Sequence, residues 1–176
     1  MSMITSIEPK TGSWILLIGP RNLNGTLLEA IAKLGSIGPV RVLDGGNRFA
    51  AYKVARAVRG QAEILERITV ARAFNCYQVL SLLENTPSIP SPFVVLDMLS
   101  TFYDESVKAR ERKHLLYSCI VNLKRLVRNA GGVVSIHPPA VPSQTATELL
   151  KMIQDYTCDS YYVVPKPSPY EPMRLF

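Results

Sequence analysis

The sequence predicts a single three-layer αβα domain with a mostly parallel central sheet. Strand-sized apolar runs alternate with stretches of helical periodicity along the chain. Glycine and proline pairs punctuate the joints between them. A chain of 176 residues with 47% hydrophobic content is long and apolar enough for one real core. There is no internal repeat and no low-complexity tract.

Trp14 to Ile18 reads as the first strand and ends at Gly19-Pro20. A helix follows with Leu27, Leu28, Ile31 and Leu34 on one face, stopped by Gly35 and Gly38-Pro39. Val40 to Asp44 is the second strand, and Gly45-Gly46 makes a turn. The next helix carries Ala51, Val54, Ala55 and Val58 inward and ends at Gly60. Arg67 to Ala71 is the third strand. Asn75 with Gln78 resembles a capping box opening a helix that buries Val79, Leu80 and Leu83.

Thr86 to Pro92 reads as a surface loop and Phe93 to Asp97 as a buried strand. A long helix over about residues 110 to 129 carries Leu116, Ile120, Leu123 and Val127 as its apolar stripe. Gly131-Gly132 breaks it, and Val133 to Ile136 is the next strand, ended by Pro138-Pro139. Thr145 with Glu148 marks a capped helix burying Leu149, Leu150 and Ile153, before a last strand at Ser160 to Val164. This divides the chain into an N-terminal arm (1–13), a core (14–164) and a proline-rich tail (165–176).

No apolar run approaches the roughly 20 residues of a membrane span, and Met1 to Thr11 lacks a signal-peptide pattern. A soluble, intracellular protein with no membrane partner is expected, cytoplasmic or in the nucleoid or nucleus. Cys76, Cys119 and Cys158 are scattered, which argues against a disulfide framework and a zinc site. No metal is expected. His137 and Asp97, at strand ends, read as hydrogen-bonded structural groups, and Asp44 reads likewise.

The segment after the first strand, Gly19-Pro-Arg-Asn-Leu-Asn-Gly-Thr26, has the length of a phosphate-binding loop. Its first glycine and Thr26 match that pattern; Asn24 stands at the second glycine and Gly25 at the lysine. Val42-Leu-Asp-Gly-Gly-Asn-Arg-Phe49 and Arg67-Ile-Thr-Val-Ala-Arg-Ala-Phe-Asn75 follow in order, then Phe93 to Asp97 and Gly131-Gly-Val-Val-Ser-Ile-His137. Together these segments resemble the ATPase core of the RecA/RadA recombinases, from about residue 14 to 139.

That resemblance implies a RecA-like P-loop NTPase topology and a degenerate nucleotide site at Gly19, Arg21, Asn24, Gly25, Thr26, Gly46, Asp97 and His137. Gly46 stands where the family has its catalytic glutamate, Gly25 where it has the lysine, and His137 where it has the sensor glutamine. Thr26 and Asp97 remain as magnesium-side residues. Phosphoryl transfer rests on positioning and on neutralising negative charge. Losing both groups costs on the order of 10³-fold or more in rate. The expectation is therefore a non-catalytic protein without cofactor, with ATP and magnesium not favoured. It would be accessory to DNA recombination or repair. The alternatives are an atypical nucleotide-binding protein or weak NTPase using Arg21 as a substitute cation, and a purely structural subunit.

Net charge is +6. Positive charge gathers in residues 104–130 and in the helix after Asp44, which carries Arg48, Lys53, Arg56 and Arg59. The resemblance places DNA near the segment after the Phe93 strand. Lys108, Arg110, Arg112 and Lys113 are therefore the candidate DNA contacts, weighed against an ordinary solvated helix face. Phe102 and Tyr103 are candidates for base stacking or for core and rim positions. By the same analogy the chain pairs with itself or with a related RecA-like subunit, and the tail ending Met173-Arg-Leu-Phe176 is a candidate docking segment.

Overall fold

The computed structural model describes residues 8–157 and 159–162. The proline-rich tail, the end of the last predicted strand and Cys158 lie outside the described residues. Six strands form one sheet: β1 (Trp14–Ile18), β2 (Val40–Asp44), β3 (Ile68–Arg72), β4 (Phe93–Leu96), β5 (Gly132–Ile136) and β6 (Asp159–Tyr162). Their order is β3-β2-β4-β5-β1-β6, and every pairing is parallel.

Parallel strands need crossovers, and helices supply them on both faces. α1 (Leu23–Ile37), α2 (Ala51–Ala57) and α3 (Ala62–Glu66) cover one face, over Leu17, Val40, Val42, Val94, Leu96 and Val133. α4 (Cys76–Asn85), α5 (Ala109–Leu126) and α6 (Gln144–Asp155) cover the other with a 3-10 turn at Ser100–Tyr103. The side chains beneath them include Trp14, Leu16, Phe93, Val95 and Val134. This is the three-layer αβα architecture expected of a RecA-like core.

Local structure departs from the sequence reading in several places. α1 does not stop at Gly35 but runs on to Ile37. Gly35 is a packing position, since a Cβ there would meet Ile68 Cδ1 at 3.0 Å. Gly38 caps the helix instead, its N–H donating to Leu34 O at 3.1 Å. Ala51 is exposed, because the inward face of the short α2 is Val54 alone, continued by Val58. The predicted capping box at Thr145 lies two residues too late: Ser143 Oγ accepts the Ala146 N–H at 3.1 Å, and Glu148 turns to other partners.

The cap at Asn75 forms as read, with Oδ1 accepting the Gln78 N–H at 2.9 Å. In return, the Phe74 N–H donates to Gln78 Oε1 at 2.8 Å. At the amino edge of the sheet, Arg41 is buried and its guanidinium donates to the carbonyls of Pro87, Ile89 and Ser91. Those bonds hold the Thr86–Pro92 loop against β2. Burial and the neighbouring Arg125 push the Arg41 pKa down.

Candidate functional site

In an open parallel sheet, ligands bind beyond the carboxyl ends of the strands. Gly19, Asp97 and His137 follow β1, β4 and β5, Asp44 ends β2, and all four lie at that edge. The structure thus brings together the ends of the four segments that suggested a nucleotide site. Their polar groups bond to one another and to Arg48, through His137 to Gly19 and Asp97 and through Asp97 to Arg48.

The eight-residue window Gly19–Thr26 is not an open loop. α1 begins at Leu23, so half of the window is helix. The Leu23 N–H donates to Pro20 O at 2.9 Å and the Asn24 N–H to Arg21 O at 3.1 Å. Those amides therefore serve a tight turn rather than facing outward. The reason lies in Leu23, which is 2% exposed. Burying a leucine is worth about 2 kcal/mol, and an arched loop would forfeit it. Gly25 and Thr26 sit in the first turns of α1, half-buried, while Arg21 is exposed. Asn24 Nδ2 donates to Arg48 O at 2.9 Å and ties α1 to the loop after β2.

Asp97 is 1% exposed and sits at φ +49, a left-handed conformation that aspartate tolerates better than most residues. Its N–H donates to Ser135 Oγ at 2.9 Å. Oδ2 accepts from Arg48 Nε at 2.9 Å and Oδ1 from the His137 N–H at 3.3 Å. Both carboxylate oxygens are thus engaged by the protein itself, and Arg48 supplies the positive charge. Gly46 is the space this arrangement needs: a Cβ there would lie 2.6 Å from Asp97 Cβ and Oδ2. A side chain at position 46 would collide with the Asp97 carboxylate that lies over it.

Asp44 is fully buried and organises the loop beneath. It accepts the N–H groups of Arg48 at 2.8 Å and Phe49 at 2.9 Å, and Arg72 Nε at 3.0 Å. His137 is 4% exposed, with Nδ1 donating to Gly19 O at 2.9 Å, which fixes the tautomer. Its Nε2 is buried with no partner. Tyr103 donates its hydroxyl to His137 O at 3.3 Å, and burial beside Asp97 pushes its pKa well above the ordinary phenol value. Among the described residues no three His, Cys, Asp or Glu side chains cluster as metal ligands.

The predicted DNA contacts do not form one surface. Arg112 is 7% exposed and donates Nη1 to Phe102 O at 3.0 Å, so it belongs to the core. Lys113 pairs with Glu148, whose carboxyl is held below its ordinary range by that contact and by Gln144. Lys108 and Arg110 remain exposed. Phe102 is fully buried and Tyr103 is half-buried with its hydroxyl bonded inward, so neither offers a face to a base.

Arg48 is the residue that sequence reasoning counted only as surface charge. The only sequence signal was its place two positions beyond Gly46, in the segment that leaves β2. No protein-family model matches the chain, and no curated protein is similar to it. No helix among the described residues is long and apolar enough to cross a membrane.

Proposed function

We propose that the chain is a non-catalytic RecA-like binding or assembly protein, accessory to DNA recombination or repair. The observation that carries this reading is the Arg48–Asp97 pair. An arginine lies against the aspartate that, in the resemblance, would serve magnesium. The turn ahead of Leu23 has meanwhile used the amides that would cradle phosphate. Without a metal side, a lysine or a water-aligning glutamate, the edge lacks the charges that phosphoryl transfer requires.

An assembly role is supported at the end of the sheet. β3 is a terminal strand, so one row of its backbone N–H and C=O groups pairs with no strand among the described residues. A second copy or a related RecA-like subunit is the partner this reading favours. The test is steady-state ATP hydrolysis by the purified chain, with and without DNA. The expected rate equals the buffer blank. Turnover that disappears in Asp97→Ala would overturn the non-catalytic reading in favour of a weak NTPase.

A further inference from the structure

Phe74 and Tyr52 are the most exposed aromatic side chains among the described residues, at 73% and 66%. They lie in segments that leave adjacent strands at the same edge. Arg72 of β3 is in register with Asp44 of β2. The Ala73 N–H donates to Asp44 O at 2.9 Å, and Arg72 Nη2 to Phe49 O at 3.1 Å, which laces the two segments together. Tyr77, in the first turn of α4, continues the corner, its hydroxyl donating to Glu111 at 2.5 Å. Exposed rings of this kind make no contribution to either hydrophobic layer.

The charge along their own segments has one sign, although Glu111 of α5 stands beside Tyr77 and buried carboxylates answer Arg48 and Arg72. Residues 45–59 contain Arg48, Lys53, Arg56 and Arg59 and no acid; residues 67–83 contain Arg67 and Arg72 and no acid. Arg48 and Arg72 are each held through Nε by a buried carboxylate, with side chains 24% and 35% exposed. Guanidinium groups oriented in this way are pre-organised for phosphate oxygens. Flat aromatic faces interleaved with cations are what a single strand needs, bases on the rings and backbone on the charges.

The geometry points to a binding site for single-stranded nucleic acid at this corner, with bases stacked on Phe74 and Tyr52 and phosphates on Lys53, Arg48 and Arg72. It rests on the proposed non-catalytic reading for its biological setting, but the site itself lies away from the segment after β4 where the resemblance led one to expect DNA. A protein partner at the same corner would have to answer a cationic rim with acid, and stacking would be incidental to it.

The test is fluorescence anisotropy of a labelled oligothymidylate, on the order of 16 nucleotides long, at low salt. Binding is expected, weakening steeply as salt rises. Phe74→Ala and Tyr52→Ala are each expected to weaken it about tenfold, since truncating one stacking ring has effects of that order. Both side chains are exposed, so thermal unfolding should be unchanged and serves as the folding control. The Lys108→Glu, Arg110→Glu double variant should bind as the parent does. The proposal is overturned by no binding at low salt, by duplex binding as tightly as single strand, or by loss only in the Lys108 and Arg110 variant. A Phe74→Ala variant that changes sedimentation but not nucleic-acid affinity makes the corner a protein contact and also overturns it. None of these outcomes touches ATP hydrolysis, so failure here and failure of the non-catalytic reading are told apart.

Discussion

Arg48 Nε donates to Asp97 Oδ2 at 2.9 Å, across the gap between the loop after β2 and the end of β4. The carboxylate is almost fully buried while the guanidinium reaches the surface. Removing the arginine alone strands a buried charge. Arg48→Met is expected to destabilise by about 3 kcal/mol. Asp97→Asn keeps a residue that accepts the left-handed backbone, so the double variant should recover most of that loss. Urea unfolding of the two single variants and the double variant measures the coupling; additive losses would remove the pair from the account.

On the proposed reading, placing a glutamate at position 46 and a lysine at position 25, as in a catalytic RecA/RadA core, should not create catalysis. Gly46→Glu puts a Cβ within 2.6 Å of Asp97 and should cost about 2 kcal/mol by overpacking. Gly25→Lys meets open space inside α1 and should stabilise by about 0.5 kcal/mol through helix propensity. Neither variant is expected to hydrolyse ATP. Thermal unfolding and phosphate release on both chains check the opposite signs.

Most of the layered fold was legible in the sequence, since strand and helix periods are set by which side chains the core takes. Trp14, Phe93 and the α5 stripe of Leu116, Ile120 and Leu123 are buried where periodicity placed them. What escaped was decided by tertiary contact. Gly35 looked like a stop signal but is a contact point for Ile64 and Ile68, and no one-dimensional pattern separates those roles. Leu23 looked like a loop residue inside a phosphate-loop window, yet its burial draws the window into helix. Asp97 and Arg48 lie 49 positions apart in sequence, so their pairing had no local signature.

Arg112 and Lys113 are neighbours with different expected responses. Arg112→Ala removes a nearly buried guanidinium and leaves the Phe102 carbonyl unanswered, at an expected cost of about 2 kcal/mol. Lys113→Ala breaks an exposed pair with Glu148 and should stay within about 0.5 kcal/mol of the parent. Chemical denaturation of the two variants resolves the contrast. Equal, small effects would return Arg112 to the surface.

The phenol of Tyr77 is pushed up to about 12, first by its hydrogen bond to Glu111 and then by burial and the charge of that carboxylate. Its ordinary value is near 10. The folded state therefore holds the proton longer than the unfolded state. The resulting stabilisation is complete below about pH 10 and is lost as pH rises from there through about 12. Ultraviolet titration of Tyr77→Phe against the parent identifies the late-titrating phenol. Glu111→Gln should move that phenol back toward its ordinary value.

In the proposed reading the carboxyl edge of the sheet is occupied by the protein's own groups, Arg48 on Asp97 and the Leu23 turn in place of a phosphate loop. Calorimetric titration with Mg-ATP to millimolar concentration, paired with melting temperature, tests it most directly. No saturable heat and an unchanged melting temperature are expected. A saturable heat with a raised melting temperature, both abolished by Asp97→Ala, would contradict it.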